Sequence, residues 1–160
     1  IETKYLAHLK ETRDGSLSVE FDLLNSKKSR IDFSEILLQN KGKLIYIDFW
    51  ASWCMPCIKA IKKSSKLHSK YINKDVVFLY ISIDHNVQEW EKISENLKTI
   101  KGENSFLDLN YPNANFYKKL DIKTIPRYVL IDKNGQIVHQ NAPGPLGHDI
   151  ETLLDKYINK

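Results

Sequence analysis

The stretch from Phe49 to Cys57, FWASWCMPC, holds both cysteines of a 160-residue chain. The cysteines are three positions apart and lie beside two of the three tryptophans. A pair with this spacing can contribute to a metal site, form a structural disulfide or carry out thiol–disulfide exchange. Which of these uses applies depends on the secondary structure around the pair.

The segments on either side of the cysteines predict a βαβ unit. Lys43 to Trp50 is an almost continuous apolar run of strand length, which is typical of a strand covered on both faces. Apolar residues then recur at helical spacing from Cys54 to about Asn73, and Val76 to Ile83 predicts a second buried strand. Two parallel strands joined by a right-handed helical crossover fit this order. The cysteine pair therefore lies where a buried strand ends and a long helix begins.

The rest of the chain predicts a mixed central sheet with helices on its faces, an α/β fold class. Trp90, Ile93 and Leu97 line one face of the second long helix. The Asn-Gly turn within residues 133–135 is the strongest hairpin signal in the sequence. The remaining predicted elements are a hairpin over 17–24 and 29–32, a helix over 33–39, a helix over 86–100, an irregular stretch up to 112, a helix over 114–120, a hairpin over 128–132 and 136–139, and a helix over 149–158.

Length and composition indicate one globular domain that does not need a disulfide bond in order to fold. Apolar residues make up 42% and charged residues 28%, and no run approaches the roughly 18 apolar residues of a membrane helix. We predict a domain over residues 17–160, preceded by an extension over residues 1–16 that could be a linker from an upstream segment. The chain begins at Ile1 with neither an initiator Met nor a signal peptide, so a leader, a lipid anchor or an upstream domain stays open.

The net charge of +4 is carried mostly by lysines. Lys59, Lys62, Lys63 and Lys66 fall at helical spacing between apolar residues, which favours a solvated helix face. A nucleic-acid surface would favour clustered arginines and interleaved exposed aromatic residues. We therefore predict no nucleic-acid partner.

The start of a helix changes the chemistry of a cysteine. Cys54 is predicted at the helix start, and Cys57 lies one turn further on roughly the same face. The unpaired N–H groups of a helix N-terminus favour a thiolate over a thiol, and Pro56 suits the first turn because its missing N–H costs nothing there. The thiolate is the nucleophile in thiol–disulfide exchange. Cys54 is thus the predicted attacking group.

Other uses of the pair fit the sequence less well. A structural zinc site needs four ligands, but there is no third cysteine and the five histidines are isolated from one another. A disulfide that closes so small a loop removes little entropy from the unfolded chain. Two unrelated buried thiols stay open on spacing alone. No metal or other cofactor is predicted.

Two stretches resemble the thioredoxin superfamily. Asp48 to Cys57 resembles its active-site stretch, and Thr124 to Pro126 with the following strand resembles its cis-proline segment. The resemblance runs from about Leu17 to the C-terminus. The N-terminal hairpin and the added helical segment between Asp84 and Pro126 are similar to those of the TlpA/ResA-like branch of bacterial extracytoplasmic thiol–disulfide oxidoreductases.

The resemblance implies a thioredoxin-like fold with an N-terminal β-hairpin extension and a helical insertion. It implies a monomeric enzyme that exchanges disulfides with protein substrates through a redox-active CxxC pair, as a reductant outside the cytoplasm. The implied partners are proteins with disulfides or thiols, and a membrane or thioredoxin-type electron donor. The implied location is periplasmic or otherwise extracytoplasmic, with a membrane anchor in an absent N-terminal segment left open. The sequence between the cysteines does not fix the direction of exchange.

The resemblance assigns a catalytic role to three residues. Cys54 is the nucleophile, Cys57 is the resolving thiol, and Asp48 is the buried acid behind Cys57. A carboxyl group within so apolar a strand is expected to have a raised pKa and to exchange protons near neutral pH. A hydrogen-bonded structural acid is the alternative role for Asp48.

A second set of residues is expected to bind the substrate. The resemblance assigns Pro126 as the cis-proline that faces the cysteines, with the Ile125 backbone as an edge for an extended substrate segment. Trp53 would form an apolar wall beside the sulfur, and Met55 and Pro56 complete the predicted surface. An ordinary trans proline is the alternative for Pro126, and core packing is the alternative for the tryptophans.

Three positions depart from the family pattern. Many TlpA/ResA-like members have a glutamate where this chain has Ala60, and many superfamily members have a proline where it has Lys62. The acid–base role would then fall on Asp48 alone, and the active-site helix should lack a proline kink. Cytosolic thioredoxins place a lysine near the buried acid, and the corresponding strand position here is Tyr80.

Two other functions are compatible with the same fold. A thiol peroxidase would need its reactive cysteine in a different motif with a nearby Thr or Ser and an Arg, and none of the three arginines has that spacing. A non-catalytic, chaperone-like module would use the groove around Trp53, Ile125 and Pro126 to hold unfolded chains. Insulin reduction by the intact pair distinguishes the second of these from an oxidoreductase.

Overall fold

The computed structural model describes residues 21–113 and 115–160, which form strands and helices. The strands are β1 (Asp22–Asn25), β2 (Arg30–Asp32), β3 (Leu44–Trp50), β4 (Val76–Ser82), β5 (Ser105–Asp108), β6 (Arg127–Ile131) and β7 (Ile137–His139). The helices are α1 (Phe33–Gln39), α2 (Met55–Lys63), α3 (Ser65–Tyr71), α4 (Val87–Asn96), α5 (Asn115–Leu120) and α6 (His148–Ile158). The predicted extension over residues 1–16 lies outside the described residues.

The described strands form one mixed sheet in the order β2-β1-β5-β4-β3-β6-β7. β3 is an internal strand that is buried along its whole length, as its apolar run predicts. It runs parallel to β4 from Leu44 opposite Val76 to Trp50 opposite Ser82, and antiparallel to β6. The mixed α/β sheet with helices packed on it, expected from the sequence, is confirmed.

Both predicted hairpins are present, although residues 17–20 of the first lie outside the described part of the chain. β1 pairs with β2, and the Asn25 carboxamide oxygen accepts the N–H groups of Lys27 and Ser29 in the turn. β6 pairs with β7 around the Asn-Gly turn. There Asp132 accepts the Gly135 N–H, and Gly135 has a positive φ of 78° that suits glycine.

The sequence interpretation of the stretch up to Pro112 as irregular is wrong for Ser105–Asp108. These residues form β5, which pairs in parallel with β4 and antiparallel with β1. The strand has four residues, of which only the middle two are apolar, so its sequence carries too little pattern to be recognised. The segment between Asp84 and Pro126 therefore adds an internal strand, β5, which joins the β1–β2 hairpin to the rest of the sheet. Helix α4 is the crossover between the parallel strands β4 and β5.

The predicted long helix after Cys54 is two helices, α2 and α3, separated at Ser64. The Ser64 backbone N–H and its hydroxyl both donate to the Ile61 carbonyl oxygen, at 3.1 and 2.7 Å. A serine hydroxyl that binds a backbone carbonyl competes with the regular helical bonds. The helix is thus interrupted without a proline, and the expectation of one continuous helix was wrong.

Two clusters of buried residues hold the sheet and helices together. The smaller cluster packs α3 and α6 against Tyr46 and Leu130 of the sheet. The larger cluster contains both cysteines, Trp50, and residues of α1, α2 and α4. Among the helices formed by the described residues, none has the length and apolar character needed to cross a bilayer.

Candidate functional site

Cys54 and Cys57 form a disulfide at the N-terminus of α2, with their Cα atoms 5.3 Å apart. Cys54 is the N-cap residue, and its sulfur accepts the Cys57 N–H at 3.3 Å. Pro56 lies in the first turn, where its missing N–H leaves no bond unmade. The Cys54 sulfur thus occupies the position at which a helix stabilises negative charge.

Exposure differs sharply between the residues of this stretch. Cys57 is fully buried and Cys54 is 5% exposed, whereas Trp53 is 65% and Met55 59% exposed. Trp50, by contrast, is fully buried, so core packing accounts for it. An incoming polypeptide therefore meets an apolar surface beside Cys54 and has no direct access to Cys57.

The Thr-Ile-Pro segment lies at the same end of the sheet as the disulfide. The Ile125–Pro126 peptide bond is cis, and both residues are half-buried. The next residue, Arg127, is paired with Phe49 near the end of β3. Its guanidinium donates to the carbonyl oxygens of Leu120, Asp121 and Gln140. The fold therefore places at one end of the sheet two segments that are about seventy positions apart in the sequence.

Asp48 lies in β3 between Tyr80 of β4 and Tyr128 of β6. It is 6% exposed, and its Oδ1 atom has no hydrogen-bond partner among the described residues. Burial raises the pKa of Asp48 to about 8. A carboxyl group with such a pKa can take up or release a proton near neutral pH, as the sequence predicts for the buried acid.

Tyr80, the β4 residue opposite Asp48, forms a pair with a histidine. The Tyr80 hydroxyl is 2.6 Å from His68 Nε2, and the His68 ring stacks on Phe78 at 4.2 Å between centroids. Burial, with a smaller contribution from Lys101, lowers the pKa of His68 to about 4. The imidazole is therefore neutral at pH 7 and adds no positive charge to the surroundings of Asp48. Sequence reasoning missed this pair, because nothing local marks His68.

The described residues contain no group of His, Cys, Asp and Glu side chains that could hold a metal ion. The two sulfurs, which would be the natural soft ligands, are bonded to each other.

A second buried carboxylate fixes the loop that leads to the disulfide. Asp84 accepts the Ser52 N–H at 2.9 Å and the Ser52 hydroxyl at 2.6 Å, and it also accepts the Ser82 hydroxyl. Ser52 lies two positions before Cys54, so these bonds tie the loop to the end of β4. The sequence analysis did not identify Asp84, although an acid directly after a buried strand is a visible signal.

Replacing Asp84 with alanine is expected to lower the free energy of unfolding by about 2 to 4 kcal/mol. The substitution leaves the Ser82 hydroxyl without this acceptor in a buried site, where an unsatisfied group costs about 1 to 3 kcal/mol. The Ser52 N–H and hydroxyl also lose their acceptor, at a smaller cost because Ser52 is half-buried and water can reach it. Urea unfolding of the oxidised protein measures the change. The exposed Asp75 provides the control, since Asp75→Ala should stay within about 0.5 kcal/mol. Equal stabilities for the two variants would contradict this role.

Comparisons with known proteins agree with this geometry. A family model described as thioredoxin-like matches residues 42–137, more than half of the chain. The curated thiol-disulfide oxidoreductase ResA of Bacillus thuringiensis subsp. konkukian is 24% identical over 155 residues, which cover 93% of this chain and 82% of the relative.

Solved structures give a similar result. A crystal structure from Bacteroides vulgatus, of a protein proposed to be a thiol-disulfide oxidoreductase, is 34% identical with a TM-score of 0.70, and the match covers 87% of this chain and 92% of that one. A Chlorobium tepidum structure, of a protein proposed to be the thiol:disulfide interchange protein DsbE, is 25% identical with a TM-score of 0.64 and covers 88% and 91%.

Proposed function

We propose that this chain, which belongs to the thioredoxin-like family and is a thiol–disulfide oxidoreductase, reduces disulfides of protein substrates outside the cytoplasm. The observation that carries the proposal is the position of the Cys54–Cys57 pair at the N-terminus of α2, beside an exposed apolar surface. The resemblance to the TlpA/ResA-like branch supports the extracytoplasmic location and the role of a reductant.

The reaction proceeds in two exchanges. In the reduced protein, the Cys54 thiolate attacks one sulfur of the substrate disulfide, forms a mixed disulfide and expels the other substrate sulfur as a thiolate. The Cys57 thiolate then attacks the Cys54 sulfur and releases the second substrate sulfur. The substrate gains two electrons and ends with two thiols, and the protein ends with the Cys54–Cys57 disulfide. A membrane or thioredoxin-type donor returns two electrons to it.

Cys54 is the proposed attacker because it is the more exposed of the two residues and its sulfur accepts a backbone N–H at the helix N-terminus. Cys57 acts only after the mixed disulfide has formed, since it is fully buried. Asp48 is the proposed proton acceptor for Cys57. With a pKa of about 8, a fraction of the Asp48 side chains is ionised at pH 7, and this carboxylate is nearly as strong a base as a thiolate.

The proposed substrate surface consists of Trp53, Met55, Pro56, Ile125 and Pro126. Trp53, Met55 and Pro56 are exposed around Cys54, and Ile125 and Pro126 lie at the same end of the sheet. An extended substrate segment could pair with the backbone before Pro126 while its apolar side chains contact Trp53. We propose that the protein acts on such segments as a monomer.

The reduction potential tests the direction of exchange. Equilibration of the cysteine pair with a graded series of reduced and oxidised glutathione should give a potential below about −220 mV, in the range of reducing members of this class. The reduced protein should also reduce insulin, and a variant without both cysteines should not. A potential near −120 mV, typical of a strong oxidant, would contradict the proposed direction.

A further inference from the structure

The positive charge of the chain is concentrated in the segment that starts at the disulfide. Residues 55–74 contain six lysines and no aspartate or glutamate. The other 140 residues hold 18 of the 24 basic residues and all 20 acidic ones, which gives them a net charge of −2. The whole positive excess of the protein therefore belongs to α2, α3 and the turn that follows.

Three of these lysines, Lys59, Lys62 and Lys63, form what we call the basic stripe. Met55, Lys59 and Lys62 follow one another at four and three positions on the exposed side of α2, and Lys63 lies beside them. At 1.5 Å per residue, Lys59 lies about 6 Å and Lys62 about 10 Å along the helix axis from Met55. A polypeptide whose sulfur reaches Cys54 thus passes within reach of the stripe.

The basic stripe has no partner within the described part of the chain. None of its lysines forms an ion pair there, whereas Lys70 of α3 binds Glu151 at 2.7 Å. Lysines three and four positions apart on a helix repel one another, which costs the helix stability. The exposed face expected from the sequence is present, and its single sign of charge is complementary to an acidic partner.

We propose that the basic stripe is a docking surface for redox partners that carry two or more aspartates or glutamates within a few residues of their reactive cysteine. Opposite charges at such a site accelerate encounter and favour the correct partner over others. The inference rests on the proposed function, because it names the class of polypeptide that reaches Cys54.

Two synthetic peptides test the proposal. They contain the same disulfide and differ only in three residues next to one cysteine, which are aspartates in one peptide and lysines in the other. The measured quantity is the second-order rate constant for reduction of each peptide by the reduced protein. At about 20 mM ionic strength the acidic peptide should react about tenfold faster or more, and the ratio should fall to within about twofold at about 500 mM.

Two triple variants locate the effect on the stripe. Lys59→Glu, Lys62→Glu and Lys63→Glu together should invert the preference, and the three Gln substitutions should remove it. The matched control changes three exposed lysines outside α2 to glutamate: Lys41 and Lys43, which precede β3 at the end opposite the disulfide, and Lys27 in the β1–β2 turn. That control makes the same change in net charge and should keep most of the preference. Using the ratio of the two peptides cancels any change in the reactivity of Cys54 itself.

Other outcomes separate this inference from the proposed function. A preference that survives in the stripe variants, or falls equally in the control, overturns the docking surface. Equal rates for the two peptides, with stripe-dependent binding to vesicles containing anionic lipid, also overturn it and assign the stripe to a membrane surface. Failure to reduce hydroxyethyl disulfide, which is neutral and small, would instead count against the proposed function.

Discussion

Replacing Cys57 with serine is expected to turn the protein into a trap for its substrates, while replacing Cys54 with serine should abolish exchange. Insulin reduction should fall at least about 100-fold in both variants. Each variant lacks one of the two cysteine sulfurs that are oxidised to a disulfide when the substrate is reduced. Only the Cys57→Ser variant should accumulate mixed disulfides with proteins.

The asymmetry follows from the positions of the two sulfurs. Cys54 is the N-cap of α2 and the more accessible cysteine, so it can begin the attack without its partner. Cys57 is buried in the first turn, where a folded substrate cannot reach it. Without Cys57 the first exchange still occurs, but nothing inside the protein releases the substrate.

Non-reducing electrophoresis of each variant, incubated with a reducible protein such as insulin, measures the adducts. Dithiothreitol should release them, and the variant that lacks both cysteines should form none. Equal amounts of adduct with Cys54→Ser and Cys57→Ser would contradict the assignment of Cys54 as the attacking cysteine.

The parts of the fold that could be predicted from sequence carry their own local signals. The apolar run of β3 marks an internal strand, and the Asn-Gly turn marks the β6–β7 hairpin. The bounds of α1 also match the prediction, since Asp32 caps the helix by accepting the Ser34 N–H. In each case a few adjacent residues determine the structure.

The parts that could not be predicted depend on contacts between distant residues. β5 is a strand because β4 and β1 flank it, although Ser105 and Asp108 interrupt any apolar pattern. The break between α2 and α3 depends on how a buried serine satisfies its hydroxyl, and a serine at that position is equally compatible with a continuous helix. Tertiary context decides both.

The same division holds for the site. The spacing of the cysteines, the acid within an apolar strand and the resemblance to the thioredoxin superfamily predict catalytic roles for Cys54, Cys57 and Asp48, and these roles stay predictions. The loop anchor joins Asp84 to Ser52 across 32 positions, and the tyrosine–histidine pair joins two elements across 12 positions. No pattern of adjacent residues records such contacts, so they emerge only when the chain is folded.

Asp48→Asn is expected to stabilise the oxidised protein at neutral pH by roughly 2 to 4 kcal/mol. In the folded protein burial raises the pKa of Asp48 to about 8, while the unfolded chain has the ordinary value near 4. Between these values the folded state holds a proton that the unfolded state has released. The contribution of Asp48 to the free energy of unfolding is therefore largest below pH 4 and is lost as the pH rises to about 8. An asparagine side chain does not ionise, so the Asp48→Asn variant does not lose stability in this way between pH 4 and pH 8.

Urea unfolding at pH 5, 7 and 9 measures this effect. The difference between Asp48→Asn and the wild-type protein should grow from pH 5 to pH 7 and level off above about pH 8. Asp75→Asn, which removes one exposed carboxyl group, is the control for the loss of a negative charge. A difference that is constant with pH would mean that Asp48 does not titrate between the folded and unfolded states in this range.

The same substitution should slow the release of substrate, and this separates a catalytic acid from a structural one. If Asp48 accepts the Cys57 proton, Asp48→Asn should leave formation of the mixed disulfide nearly unchanged and slow its resolution at least about tenfold at pH 7. The deficit should shrink near pH 9.5, since a thiol with an ordinary pKa near 8.5 then ionises without help. Single-turnover kinetics with a disulfide peptide resolves the two steps. If the variant gains stability but resolves the mixed disulfide at the wild-type rate, Asp48 has no catalytic role and is only a buried acid whose charge destabilises the fold.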